Sequence, residues 1–158
     1  MFMTNSIFVD SSLPVEYMKG AQRDLMDALL SNRRFRLFIS QTVVSEYLFY
    51  HLAEHGQKSP RTLKENGSIP HILTTIDPLP FLELFSWLPD DAAMLQTSVN
   101  FMRNYNLLPN DALILAVCKL HGIPALASFD PDFNAPCQNE GIRLLQSFAD
   151  FESFQASF

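Results

Sequence analysis

The chain has 158 residues, of which 47% are hydrophobic and 18% are charged, a balance typical of a globular protein with one hydrophobic core. Its net charge of -6 at pH 7 excludes a general nucleic-acid coat protein, which needs a broad basic face. An acidic balance still permits a site at which several carboxylates hold a divalent cation.

The sequence contains no apolar run close to the ~18 residues that a membrane-spanning helix needs. Residues 1–6 lack the basic charge and the long apolar stretch of a signal peptide. We therefore expect a cytoplasmic protein with one domain over residues 1–158 and no membrane partner. Neither Cys118 nor Cys137 belongs to a CxxC pattern, so no zinc site is expected, and the apolar surroundings of Cys118 place it in the core.

Apolar periodicity and capping residues predict eight principal elements. In chain order these are a strand over Ile7–Val9, a helix capped by Ser11 or Ser12 that ends before Asn32, a strand over Phe35–Ile39, a helix over about Gln41–His55 that stops at Gly56, a helix after Asp90 or Asp91 to about Asn104, a helix over Asn110–His121, a strand over Pro124–Ser128 and a strand over Ile142–Leu145. Strands that alternate with helices predict an α/β fold with a parallel sheet covered on both faces.

Three stretches leave their structure open. The polar segment at 57–70, QKSPRTLKENGSIP, predicts either a loop or a frayed helical insertion. Three prolines interrupt residues 71–89, where Phe81–Leu88 fits either a short helix or a short strand centred on Phe85–Leu88. The Phe-rich tail, FADFESFQASF, fits either a packed terminal helix or a surface for a dimer or another partner.

Four acidic residues are predicted to lie at one edge of the sheet. In an open parallel sheet, ligands bind beyond the carboxyl ends of the strands. Asp10 and Asp130 each follow a predicted strand, Asp111 lies in the first turn of a late helix, and Glu46 lies in the largely apolar segment VVSEYLFYHL. Because a buried carboxylate is costly unless it is paired or metal-bound, this pattern indicates a site for a cation that prefers oxygen ligands.

Each of these acids also has a purely structural explanation. Asp10 can be a helix cap, Asp111 a first-turn acid favoured by the helix dipole, Asp130 a turn former in FDPDF and Glu46 a surface residue of an amphipathic helix. No single residue decides between the two explanations, and only the joint pattern favours the cation site.

Three segments of the chain resemble the PIN-domain family, and they read IFVDSS, ISQTVVSEYLFYHL and LPNDALILAVCKLHGIPALASFDPDF. They are most similar to the toxin ribonucleases of the VapBC type. In that family one acid follows the first strand, one lies in the helix after the second strand, one opens a late helix and one follows the next strand. The matching positions are Asp10, Glu46, Asp111 and Asp130, and Ser128 matches the serine or threonine that commonly stands two residues before the last acid.

The resemblance implies a Rossmann-like α/β/α sandwich with a central parallel sheet, dependence on Mg²⁺ or Mn²⁺, and hydrolysis of RNA phosphodiester bonds. We expect Asp10 and Asp111 to bind the cation directly, and Glu46 and Asp130 to hold its waters or a second ion. Toxin members usually form homodimers and are neutralised by a small protein. RNA, an antitoxin and a second copy of the chain are therefore the expected partners.

Several other residues are secondary candidates. Ser11 and Ser128 are expected either to support the acids or to act as helix caps, and Asp132 competes with Asp130, which we prefer because it is closer to the end of the strand. Solvated surface positions are expected for the basic residues Arg33, Arg34, Arg36, Lys58, Arg61 and Lys64. Core packing, rather than stacking on bases, is expected for Tyr47, Tyr50 and Tyr105.

Other α/β site classes lack their required residues. A phosphatase of the haloacid-dehalogenase type needs a second Asp two positions after the first, where Ser12 stands, and the first turn has no GxGxxG pattern for a dinucleotide. The remaining alternative is an inactive PIN-like scaffold that binds RNA or a protein partner. The presence of all four acids favours the enzyme, while the RNA target and the choice of cation stay open.

Overall fold

A computed structural model describes residues 5–157 and contains a five-stranded parallel sheet with helices packed around it. The strands are β1 (Ser6–Val9), β2 (Arg36–Ser40), β3 (Ser86–Leu88), β4 (Ala125–Ala127) and β5 (Arg143–Leu145). The helices are α1 (Ser12–Met18), α2 (Arg23–Ser31), α3 (Gln41–Gly56), α4 (Pro60–Glu65), α5 (Ile69–Thr75), α6 (Leu79–Leu82), α7 (Ala93–Tyr105), α8 (Pro109–Leu120), α9 (Asn134–Glu140) and α10 (Phe148–Gln155), with a 3₁₀ turn at Pro131–Phe133.

The strand order is β3-β2-β1-β4-β5, and each neighbouring pair is parallel. In chain order, β2 and β3 are added on one side of β1, and β4 and β5 are then added on its other side. The strand order therefore reverses between β1 and β4, where Ile7 pairs with Ala125 and Val9 with Ala127. A crevice beyond the carboxyl ends of the strands at such a reversal is the usual place for a ligand in open α/β sheets.

Burial of the central strands explains their sequences. Every residue of β1 and of β4 is buried, so consecutive side chains on both faces of the sheet meet apolar neighbours. The buried side of α8 includes Cys118, which is fully enclosed as predicted. The predicted α/β class with a central parallel sheet is confirmed, and the four predicted strands agree with the structure to within one residue at each end.

The first predicted helix is wrong in its extent, because the structure has two helices there. Gly20 and Gln22, with φ of +76° and 45°, adopt left-handed backbone between α1 and α2. Gly56 does not stop α3 either. It is the last helical residue, and the left-handed cap is Gln57 with φ 52°. A Cβ on Gly56 would overlap Leu63, so the glycine allows the following segment to pack closely against α3.

The open stretch at 57–90 forms three short helices and an edge strand. Each of α4, α5 and α6 has a proline in its first turn, where the missing N–H is tolerated. The side chain of Ser59 caps α4 by accepting a hydrogen bond from the Thr62 N–H at 3.2 Å. Both alternatives for Phe81–Leu88 are partly right, since the segment contains the end of α6 and all of β3.

Two further elements complete the sheet edge at β5. Helix α9 was not predicted, although Gly141 with φ +71° supplies its left-handed cap and Cys137 on it is buried. The Phe-rich tail forms α10, whose Phe151 and Phe154 rings lie 5.9 Å and 5.4 Å from the ring of Phe35. The packed terminal helix is therefore the correct alternative for the tail up to residue 157. Within residues 5–157, no helix has both the length and the apolar character that crossing a membrane requires.

The packing of α10 predicts a large difference between two phenylalanines on that helix. Phe151 is 2% exposed and Phe148 is 46% exposed. We expect Phe151→Ala to lower the free energy of unfolding by about 3–5 kcal/mol, because it leaves a cavity against Phe35. Phe148→Ala should lower it by about 0.5 kcal/mol or less. Urea unfolding of both variants measures this, and equal losses would show that α10 does not belong to the core.

Candidate functional site

Asp10 lies directly after β1 and is almost completely buried, with 4% of its surface exposed. Its Oδ2 accepts hydrogen bonds from the Ser12 hydroxyl at 2.6 Å, the Ser128 hydroxyl at 2.7 Å and the Ser12 N–H at 3.2 Å. Burial raises the pKa of the Asp10 carboxyl above its ordinary value, and these hydrogen bonds oppose that rise. The structure therefore holds a carboxylate in a place that disfavours its charge.

Ser12 and Ser128 also connect the ends of β1 and β4. The Ser12 hydroxyl accepts a hydrogen bond from the Phe129 N–H at 3.0 Å, and the Ser128 hydroxyl accepts one from the Asp130 N–H at 3.0 Å. Each serine thus receives a bond from the segment after β4 and donates one to Asp10. We call Ser12 and Ser128 the serine clamp. Ser128 was a predicted supporting residue, whereas Ser12 was predicted only as a possible helix cap, and the one signal for its role at Asp10 was the second serine of the IFVDSS segment.

Glu46 is half-buried on α3, and both of its carboxylate oxygens have donors. Oε2 accepts from the Ser11 hydroxyl at 2.7 Å, and Oε1 accepts from the Asn110 side-chain amide at 2.7 Å. Ser11 therefore supports an acid, and its side chain makes no capping hydrogen bond to α1. Asn110 was also missed by sequence analysis, although its position beside Asp111 in the first turn of α8 was the available signal.

The pKa of the Asp111 carboxyl shows the influence of the other acids most clearly. Desolvation by burial is the main cause that raises the pKa of its carboxyl to about 6. The remaining causes are the negative charges, in decreasing order, of Asp130, Asp10, Glu46 and Asp132. Asp10, Glu46 and Asp130, which are far apart from Asp111 in the sequence, thus lie within electrostatic reach of Asp111.

The two acids of FDPDF have different positions. The Asp130 side chain accepts a hydrogen bond from the Asp132 N–H at 2.8 Å and so starts the 3₁₀ turn, which is the structural role that its sequence also allowed. Asp132 is exposed, and its charge affects Asp111 less than that of Asp130 does. The larger effect of Asp130 on Asp111 agrees with the prediction that Asp130, rather than Asp132, belongs to the site.

The donor set fits a hard divalent cation, because it consists of carboxylate oxygens that carry mutually repelling charges. In the part of the chain that the structure describes, no three His, Cys, Asp or Glu side chains stand close enough together to hold a metal ion. Burial is the main cause of the raised pKa of Asp111, and repulsion by the neighbouring carboxylates adds to it. A cation between these side chains would offset both contributions.

The predicted aromatic residues have three different environments. Tyr47 is buried in the core as expected, and Tyr105 is half-buried and donates a hydrogen bond to Glu140 at 2.6 Å. Tyr50 is 47% exposed, so its predicted core position is wrong. It lies on α3, one helical turn beyond Glu46.

The predicted basic residues are exposed, as expected, and form two groups. One group lines a groove of about 720 Å³ at the amino-terminal ends of β1, β2 and β3, which is the opposite edge of the sheet, and comprises Arg33, Arg34 and Arg36. The second group is on or beside α4 and comprises Lys58, Arg61 and Lys64. Arg61 forms an exposed ion pair with Glu65 at 3.2 Å.

The sequence over residues 7–138 matches the PIN domain family, and the chain belongs to that family. Ribonuclease VapC2 of Methanocaldococcus jannaschii is 32% identical over 133 residues, which cover 82% of this chain and 87% of the relative. Ribonuclease VapC6 of the same organism is 32% identical over 140 residues, which cover 82% and 91%. The fold is also similar to a toxin-antitoxin complex from Klebsiella pneumoniae, with a TM-score of 0.53, 19% identity and coverage of 81% of this chain and 90% of that chain. The family expected from the three sequence segments is therefore confirmed.

The raised pKa of Asp111 predicts how stability depends on pH. The carboxyl titrates near its ordinary value of 3.8 in the unfolded chain and near 6 in the folded one, so the folded state binds more protons in between. Asp111 therefore removes stability as pH rises through this range. In EDTA at pH 8, Asp111→Asn should be more stable than the wild type by on the order of 1–2 kcal/mol, after allowance for partial exposure, and this gain should shrink towards pH 4.

Asp24→Asn is the matched control, because Asp24 is an exposed acid in the first turn of α2. Urea unfolding at several pH values compares the variants. A gain in Asp111→Asn that is independent of pH, or one that Asp24→Asn shares, would contradict the account of a carboxyl crowded by neighbouring acids.

Proposed function

We propose that this chain is a divalent-cation-dependent ribonuclease of the VapC type, which hydrolyses phosphodiester bonds in RNA. One observation carries the proposal: the charges of Asp10, Glu46 and Asp130 all reach Asp111, and Asp10 lies directly after the central strand β1, beside the point where the strand order reverses. Membership of the PIN domain family and two relatives named as ribonucleases, each 32% identical, support the reaction class.

Mg²⁺ or Mn²⁺ is the proposed cofactor, with Asp10 and Asp111 as direct ligands and Glu46 and Asp130 in contact with its waters or with a second ion. When bound, the cation supplies positive charge that favours deprotonation of the attacking water and offsets the charge of the phosphate. Desolvation and the neighbouring acids support Asp111 as a ligand, since they leave its carboxylate in need of a positive partner.

The chain's own hydrogen bonds fix which oxygens remain available. Oδ2 of Asp10 accepts three hydrogen bonds within the serine clamp and its backbone. Oδ1 has only a long contact of 3.5 Å to the Ser11 hydroxyl, so it is the oxygen that we assign to the cation. Glu46 receives one hydrogen bond on each oxygen and keeps lone pairs on both, which suits an acceptor of hydrogen bonds from water.

The proposed partners are RNA, an antitoxin protein and a second copy of the chain. The antitoxin is suggested by the similar fold of a protein in a toxin-antitoxin complex. The homodimer is supported by an exposed apolar stripe on α7, where Leu95, Val99 and Met102 follow helical spacing. We further propose that residues 1–158 act as one domain, since α10 packs against Phe35, and that an RNA substrate makes the cytoplasm the site of action.

Four site variants test the proposed activity. With Mn²⁺ or Mg²⁺, the wild type should cleave members of a mixed panel of RNAs, and EDTA should abolish cleavage. We expect Asp10→Asn, Glu46→Gln, Asp111→Asn and Asp130→Asn each to lower the cleavage rate by about 100-fold or more, because outer contacts of metal sites alone contribute 10- to 100-fold. Gel electrophoresis of end-labelled RNA measures the rates.

Asp24→Asn serves as the control and should cleave at the wild-type rate. Cleavage that persists in the site variants would locate the active site elsewhere or reveal a contaminant. RNA binding without cleavage by the wild type, under conditions in which a cation is bound, would favour the inactive scaffold over the enzyme.

A further inference from the structure

The face of α3 that carries Glu46 continues with two exposed aromatic side chains. Phe49 and Tyr50 follow Glu46 by three and four residues, which places them one helical turn further along the same face. Phe49 is 56% exposed and Tyr50 is 47% exposed. Tyr47, the other tyrosine of this helix, is instead packed in the core.

The two rings border a recess that reaches the candidate site. Its volume is about 280 Å³, and it is lined by Ser45, Glu46, Phe49, Tyr50 and Asn110. Hydroxyl, carboxylate and amide groups therefore stand beside the rings. Such a mixture suits a flat ligand that stacks on one side and forms hydrogen bonds at its edge, better than it suits an apolar side chain.

The geometry of the rings leaves room for stacking. Their centroids are 5.9 Å apart and their planes meet at 86°, so the edge of one ring faces the other and ring faces remain for a ligand. The Lys19 ammonium lies over one face of the Tyr50 ring, 5.8 Å from its centroid, and pairs with Glu16 at 3.0 Å, so the opposite face of Tyr50 is the one open to a base. A cation beside the recess complements the phosphate that accompanies any base placed there.

We propose that Phe49 and Tyr50 form a base-stacking subsite that holds an unpaired nucleobase of the RNA next to the scissile phosphate. This inference rests on the proposed ribonuclease function and assigns a base-binding role to two residues of α3 that lie outside the four acids. Stacking tolerates every base, whereas the Asn110 amide can hydrogen-bond to a base edge and so select among bases.

Binding measured without cleavage tests the subsite separately from the activity. The background is Asp111→Asn, and the probes are a short fluorescein-labelled single-stranded RNA and an oligomer of equal length built from abasic ribose units. Phe49→Leu and Tyr50→Leu should each weaken binding of the base-bearing RNA by about 5- to 100-fold in fluorescence anisotropy, as expected for the loss of one base-aromatic stack. Both should bind the abasic oligomer as tightly as the background protein does.

Two controls separate stacking from other effects. Tyr50→Phe keeps the ring and should keep the affinity. Trp87→Leu removes an equally exposed aromatic side chain, 53% exposed on β3, that does not line the recess, and it should leave RNA binding unchanged.

Three results would overturn the subsite. They are no measurable binding of base-bearing RNA, equal affinity in the leucine variants, and an equal loss with the abasic oligomer. A change in oligomeric mass on light scattering, with RNA affinity intact, would place the rings in a protein interface instead. If binding depends on the rings but the wild type never cleaves RNA, the proposed ribonuclease activity is refuted and the subsite is supported. If the wild type cleaves RNA and both leucine variants cleave it equally well, only the subsite is refuted.

Discussion

The buried carboxylate of Asp10 is the constraint around which this site is built. It stands at the end of the central strand β1, where solvent is excluded, and three hydrogen bonds from Ser12 and Ser128 converge on one of its oxygens. The same two hydroxyls accept backbone N–H groups from the segment after β4. The serine clamp therefore links the environment of the Asp10 carboxylate to the fold, because its hydrogen bonds form only when β1 and β4 pair in register.

Negative charge accumulates beyond this point, since the fold adds further acids on α3, α8 and the turn after β4. Burial, and after it the charges of the neighbouring acids, raise the pKa of Asp111 to about 6, and hydrogen bonds from Ser11 and Asn110 hold Glu46 in place. Proteins retain such unfavourable arrangements mainly where they serve a function. The cation that we propose would neutralise the acids and so explain why the arrangement is tolerated, and the recess with two exposed rings beside Glu46 is where we propose that a substrate base is held.

The parts of the structure that sequence predicted are those with local signals. IFVD and ALASFD combine a short buried strand with an acid at its end, so both the strands and the positions of Asp10 and Asp130 could be read directly. The insertion at 57–90 and helix α9 are short, and their boundaries depend on close packing such as that of Gly56 against Leu63. Ser12, Asn110 and the exposure of Tyr50 were missed because they depend on which distant segments meet. The catalytic roles of the four acids remain predictions.

Binding of Mn²⁺ tests the central claim most directly, namely that these acids form one cation site. Electron paramagnetic resonance of free Mn²⁺ during titration measures affinity without any RNA. The wild type and Asp24→Asn should bind Mn²⁺ alike, and Asp10→Asn and Asp111→Asn should weaken binding by about 10-fold or more. Mn²⁺ binding that is absent from the wild type, or that survives unchanged in both site variants, would contradict the account.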